Sequence, residues 1–210
     1  MTPDPACSHC AALRAQLAEK DARIAALTAE NATLSRHDPL TGVLNHRGLS
    51  ELLAFELQRA YRTGHPFCFA IIDLDHFTQV NQQYGQEIGD RVLQIASEAS
   101  VTLLRVLDRY GRLGGEEFGI ILPATWLDQG VIAMDRLKKA WAACDWESII
   151  PGRTVTFSGG LTTNAPNDTA DSMIKRAEKA LQQAKDGGRD RVVMIEEALP
   201  DGEIDAPFTL

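Results

Sequence analysis

Two short stretches of this 210-residue chain carry acids whose types and spacing could hold a divalent cation. The stretch DLD, with Asp73 and Asp75, closes an apolar run, and the stretch GGEE, Gly114 to Glu117, interrupts another. Side-by-side carboxylates repel unless they are protonated or share a positive partner. Alternation along a strand sends Asp73 and Asp75 to one side if the strand extends that far. Glu116 and Glu117 are neighbours and so alternate in direction, which lets one of them face Asp73. Oxygen ligands from two strands form a hard site suited to Mg²⁺, an ion that commonly takes one or two carboxylates and completes its shell with phosphate. Gly114 and Gly115 permit a tight turn and a close approach to the backbone. Taken alone, the same glycines and acids favour a solvated turn over a cation site.

The acids need elements to bring them together. FCFAIID, Phe67 to Asp73, reads as a buried strand ending on an acid. DRYGRL, GGEE and FGIILP read as a hairpin, with the glutamates at its tip. Leu49, Leu52, Leu53, Leu57 and Ala60 mark one helix, and Val92, Ile95, Ala96, Ala99 and Leu103 stripe a second. Val131 to Trp141 is predicted helical, and TVTFSGGL, Thr154 to Leu161, is predicted to be a strand. Met173, Ile174, Ala177, Leu181 and Ala184 stripe a further helix that Gly187 and Gly188 terminate, ahead of a short strand RVVMI. Helices alternating with strands, plus one hairpin, predict an α/β fold with a mixed central sheet flanked by helices.

The ends differ from this body. Cys10 to Leu34 has no Gly or Pro, and heptad spacing places Cys10, Leu17, Ile24 and Asn31 at one seam position and Leu13, Lys20, Leu27 and Leu34 at the other. The pattern predicts an N-terminal coiled-coil helix over 10–36 that pairs two copies in parallel, with Asn31 fixing register. A single amphipathic helix is the alternative. Cys7 and Cys10 form a lone CxxC in a flexible start, 1–9. Two ordinary thiols are the plain reading; a redox pair, or zinc held by four thiolates of two chains, are the others. The tail 196–210 has five acids, no base and two prolines, and is predicted disordered. The net charge is −8, which argues against binding a nucleic-acid polymer but not a nucleotide held through a metal. No apolar run approaches the roughly 20 residues that span a bilayer, and no basic-then-apolar leader opens the chain, so a cytoplasmic protein without membrane contact is expected.

Five ordered segments resemble the GGDEF family, the diguanylate cyclases. They are DPLTGVLNHRGL, IIDLDHFTQVNQQYGQEIGD, RYGRLGGEEF, VTFSGGL and AEKALQQAKDGGRDRVV. GGEEF is an accepted variant of the motif that names the family, and the resemblance covers about 38–194, within a domain set at 37–195. It implies a nucleotidyl cyclase or polymerase-palm fold. It also implies that two GTP are joined into cyclic di-GMP with release of two pyrophosphates, one GTP per protomer of a homodimer. Mg²⁺ or Mn²⁺ is implied, two ions per active site.

Carried onto this chain, the resemblance makes Asp73, Glu116 and the Leu74 carbonyl metal ligands. Glu117 becomes an acid at the second metal or near the attacking hydroxyl. Asn81 and Asp90 become guanine readers, the backbone near His76 and Phe77 a phosphate contact, and Lys185 with Arg189 a phosphate clamp. RVLD, Arg105 to Asp108, stands five residues before GGEEF, where the family has an RxxD site that binds cyclic di-GMP as inhibitor. The chain departs from the family pattern at His46, Thr78, Gln82, Gln86 and Gln182. None of these is an expected metal or guanine group, and Thr78 removes one phosphate contact. A non-catalytic cyclic di-GMP receptor using Arg105 and Asp108 is the competing expectation.

Overall fold

A computed structural model describes residues 8–197, and side chains over 13–27 and 35–197. The chain divides into two units, Met1–Ser35 and Arg36–Leu210. In the first, helix α1 covers Ser8–Leu34. Its described seam residues Leu13, Leu17, Ile24 and Leu27 are exposed in the single chain. The side chains of Cys7, Cys10, Asn31 and Leu34, on which the thiol and register expectations rest, lie outside the described residues, as does the tail beyond Glu197.

The second unit is a six-stranded mixed sheet in the order β1-β3-β4-β2-β5-β6. The strands are β1 (Leu44–Asn45), β2 (Cys68–Leu74), β3 (Arg109–Gly114), β4 (Glu117–Leu122), β5 (Phe157–Thr163) and β6 (Val192–Met194). β2 lies antiparallel between β4 and β5, while β1 with β3 and β5 with β6 are parallel. Every residue of β2 is buried, as its unbroken apolar run requires of a strand covered on both faces. Alternation divides it between two cores. Cys68, Ala70, Ile72 and Leu74 pack with α3 (Phe77–Tyr84), α4 (Gln86–Leu103) and α5 (Leu127–Ala142). Phe69 and Ile71 pack with α2 (His46–Thr63) and α6 (Ala170–Asp186). Asp73 continues this second set at the end of the strand.

Local signals set the helices. The Asn45 side chain accepts from the Gly48 amide to start α2, and Gly64 ends it in the left-handed conformation at φ 70°. α6 opens on a capping box of Thr169 and Ser172. It then crosses β5 so closely that a Cβ on Gly160 would stand 2.0 Å from the Ala177 carbonyl oxygen. That contact brings the C-terminal turn of α6, with Lys185, to the end of β2. β5 starts at Phe157 rather than Thr154; just before it, the Thr156 carbonyl accepts from the Asp75 amide (2.9 Å) and its hydroxyl donates to the Asp75 carboxylate (2.8 Å).

Arg176 of α6 is buried and ties three segments together. It donates to both Asp168 oxygens (3.1 and 2.6 Å), to Thr162 Oγ1 (2.6 Å), to the Thr163 carbonyl (2.9 Å) and to Glu197 (3.0 Å). Burial pushes the Asp168 carboxyl up. Hydrogen bonds from Arg176, Ser172 and the Ala165 amide outweigh it and hold the group below its ordinary value. Arg176→Met is expected to destabilise the fold by about 3–5 kcal/mol, the range for removing one partner of a buried pair, as read by urea unfolding. Because the folded Asp168 value is depressed, its contribution is complete above the unfolded value of about 4. That contribution is lost as pH falls through the folded value. The urea midpoint of wild type is therefore expected to fall more steeply below pH 4 than that of Arg176→Met.

Candidate active site

The β3–β4 hairpin presents the two glutamates. Gly115 makes the turn at φ 47°, where a side chain is strained, and a register shift between Arg112 and Gly114 tightens it. Arg112 braces the turn from below. Its Nε and Nη2 donate to the Gly115 carbonyl (2.9 and 2.8 Å), and its Nη1 reaches the Asp38 carboxylate at 3.3 Å. Asp38 in turn accepts from the Thr41 amide and hydroxyl. The opening DPLT segment thus holds the hairpin tip.

Asp73 of β2 stands directly opposite Glu117 of β4, so both side chains lie on one face of the sheet. Glu116 is fixed one residue earlier, where its carbonyl accepts from the Leu74 amide at 3.3 Å. The acid that shares Asp73's face is therefore Glu117, while Glu116 occupies the turn beside Leu74. Burial pushes the Asp73 carboxyl up against the opposing pull of Lys185. Glu117 is also raised, by burial first and then by the charge of Asp73. Lys185 Nζ sits 2.9 Å from Asp73 Oδ2, one positive group against two facing acids. Arg189, just beyond α6, lies close enough to favour the ionised form of Asp73.

Asp75 does something else. Its carboxylate accepts from Ser158 Oγ (2.6 Å), Thr156 Oγ1 (2.8 Å) and the Asp190 amide (3.0 Å), and it is buried. It is turned to β5 and the loop before β6, away from the hairpin. Among the described residues, no three His, Cys, Asp or Glu side chains converge as a ready cation cage. Asp73 and Glu117 nonetheless fit Mg²⁺, which needs only one or two carboxylates when phosphate oxygens supply the remaining positions.

From Asp75 the chain turns at His76, a non-glycine residue at φ 59°, and enters α3. The first helical hydrogen bonds come from the Gln79 and Val80 amides, both to His76, so the Phe77 and Thr78 amides lie ahead of the ladder. Farther along, Asn81 packs on Gly89, the residue before Asp90. A Cβ at Gly89 would meet Asn81 Oδ1 at 1.8 Å, and that oxygen is buried without a hydrogen-bond partner. A buried acceptor left open beside Asp90 is where a ligand's donor fits.

Arg105 and Asp108 lie at the other end of the hairpin. The Asp108 carboxylate accepts from the Arg105 amide at 2.8 Å and closes the turn. Burial raises the Asp108 carboxyl against Arg105, Arg109 and Arg136. Arg136 of α5 joins Arg105 and Asp108 at a cleft floored by Leu104, Ile120 and Met134. Arg136 was not singled out by sequence, since nothing in its local pattern separates it from a solvated helix face.

The profile of the GGDEF domain, described as diguanylate cyclase, GGDEF domain, matches residues 35–191. The chain belongs to the GGDEF family. The diguanylate cyclase DgcP of Pseudomonas aeruginosa is 40% identical over 155 residues, 74% of this chain and 23% of DgcP. The response regulator PleD of Caulobacter vibrioides is 34% identical over 160 residues, 74% of this chain and 35% of PleD. The chain thus spans about a quarter to a third of these relatives. Among solved structures, the diguanylate cyclase SiaD of Pseudomonas aeruginosa, in complex with its activator SiaC, is 34% identical with a TM-score of 0.72, covering 90% of this chain and 75% of SiaD. The active GGEEF domain of a Vibrio cholerae diguanylate cyclase is 26% identical with a TM-score of 0.68, covering 73% of this chain and 98% of that domain.

Because the folded Asp73 value is raised, the fold disfavours its ionised form. Asp73→Asn in this GGDEF domain is expected to raise the melting temperature in metal-free buffer, because it removes a carboxylate whose ionised form burial disfavours. The same change is expected to cancel any rise in Tm that Mg²⁺ gives wild type. Thermal unfolding by circular dichroism, with EDTA or with Mg²⁺, measures both.

Proposed function

We propose that the protein is a diguanylate cyclase that condenses two GTP into cyclic di-GMP and two pyrophosphates. The observation that carries the reading is the pairing of Asp73 with Glu117 beside Lys185 at a GGEEF turn, in a chain of this family. Each protomer holds one GTP, and two sites face each other in a homodimer joined by the coiled coil over 10–36. The 3′-hydroxyl of one GTP attacks the α-phosphorus of the other, and the bond to pyrophosphate breaks. The reciprocal attack closes the ring.

Asp73, with Glu116 and the Leu74 carbonyl at the adjoining turn, would hold the first Mg²⁺ or Mn²⁺, and Glu117, which faces Asp73 across the strand pair, would serve the second or the attacking hydroxyl. When bound, the metals lower the pKa of that hydroxyl and neutralise charge on the leaving group. The backbone at His76 and Phe77 receives phosphate, as amides ahead of a helix do. Lys185 and Arg189 clamp the triphosphate. Asn81 and Asp90 read guanine; an Asp accepts from N1 and N2 in a pattern adenine does not offer. Arg105 and Asp108 bind the product and restrain turnover. The guanidinium of Arg136 at the same cleft also supports product binding, since Arg forks suit guanine and phosphate edges. The domain over 37–195 is catalytic, and the protein works in the cytoplasm.

Incubation with GTP and Mg²⁺, read by chromatography of cyclic di-GMP, is the test. Wild-type dimer is expected to make product, and a dimer that makes none sinks the reading in favour of a receptor. Asp73→Ala and Glu116→Ala are expected to lose at least about a hundredfold in rate. Arg105→Ala is expected to keep turnover and to lose inhibition by added product. Gly89→Ala, whose Cβ displaces the Asn81 amide, is expected to weaken GTP binding by about tenfold or more in calorimetry, the loss of one good hydrogen bond to a buried group.

A further inference from the structure

The loop after α6 is bent in a way its residues resist. Gly188, Arg189 and Asp190 follow one another at φ 108°, 63° and 45°, and only the first is a glycine. Successive non-glycine residues in this region persist only where the surroundings over-determine them, and such strain gathers at functional positions. Three separate elements hold this one. The Asp190 amide donates to Asp75 Oδ2 at 3.0 Å, at the end of β2. Lys138 of α5 donates to the Asp190 carbonyl and sits 3.0 Å from Asp190 Oδ1. The Arg189 amide donates to the Ala184 carbonyl at 3.0 Å, at the end of α6. Asp75 is itself held by the hydroxyls of Thr156 and Ser158. Arg189 rides on this loop with an exposed side chain whose charge reaches Asp73.

We propose that Asp75, Lys138 and Asp190 form a clamp that holds the strained loop and so presents Arg189 to the triphosphate. The proposal rests on the reading that Arg189 contacts phosphate. It makes Asp75 and Lys138 positioning residues and separates the two aspartates of DLD. Asp73 faces the reacting groups, and Asp75 sets the angle from which a distant cation approaches them. Lys138 lies half-buried on the far side of the loop and has no described contact with Asp73 or Glu117. Its influence on nucleotide passes through the loop. A bond made through a strained backbone is sensitive to such a loss, because the relaxed loop carries its guanidinium elsewhere.

The test is a double-mutant cycle on affinity for a GTP analogue with a methylene bridge between the α- and β-phosphorus, titrated by calorimetry with Mg²⁺. Lys138→Met and Arg189→Ala are each expected to weaken binding about tenfold, and the double variant is expected to bind no worse than Arg189→Ala alone, since both remove one interaction. Asp75→Asn, which exchanges an acceptor oxygen for a donor amide, is expected to show the same non-additivity with Arg189→Ala. It is also expected to leave the Mg²⁺ concentration dependence of analogue binding unchanged, which loss of a metal ligand would shift. Losses that multiply, or wild-type affinity in Lys138→Met, overturn the clamp while the functional reading stands. Failure of wild type to bind the analogue at all overturns that reading and the clamp with it.

Discussion

The site depends on one juxtaposition: two carboxylates, Asp73 and Glu117, held opposite each other at the end of the central strand pair. Both sit where burial raises them, and the charge of Asp73 makes the ionisation of Glu117 harder still. A fold selected only for stability would place an apolar pair there, as β2 does at its four preceding positions from Phe69 to Ile72. The surrounding structure supplies positive charge instead. Lys185 approaches from the end of α6, and Arg189 from the loop beyond it. The position of α6 therefore matters as much as the acids, and it is set by the contact over Gly160 and by the buried Arg176.

The same end of the sheet shows how one short motif divides its labour. DLD reads as two equivalent acids because alternation sends both to one side. In the fold, Asp73 remains in the ladder and faces β4, while Asp75 has left the strand and is saturated by Thr156, Ser158 and the Asp190 amide. A carboxylate with three donors has little capacity left for a metal. Glu116 and Glu117 divide likewise, since the backbone of Glu116 is tied to Leu74 and the side chain of Glu117 is opposed to Asp73.

Much of this fold was legible because its signals are local. The apolar run before Asp73, the hairpin around GGEE and the stripe of α6 each appear where their periodicity places them. β1 was not legible, since two residues carry no period and their strand status comes from pairing with Gly111 and Arg112. The pairing of acids was legible as a possibility, but the choice between Glu116 and Glu117 depended on cross-strand register. The supports were not legible at all. Arg112 meets Asp38 across 74 positions, and Lys138 meets the Asp190 carbonyl across 52. Such contacts leave no pattern in a single sequence, because either partner alone is an ordinary surface charge.

The hairpin also sets a distance. Its tip carries Glu116 and Glu117, and its open end begins at Arg109, next to the turn formed by Arg105 and Asp108. The six residues of β3 separate the two ends by about 17 Å, more than a side chain bridges. A ligand at the Arg105 cleft therefore touches none of the acids, and the strands between are stiffened by pairing on both sides of β4. Any influence of that cleft on the acids must act either through small shifts of a rigid hairpin or, in the proposed dimer, through how one protomer meets another. The second route asks less of the fold. Moving the hairpin against β2 would break the Asp73–Glu117 register itself, whereas in the proposed dimer restraining a whole domain would leave each site intact and keep it from its counterpart.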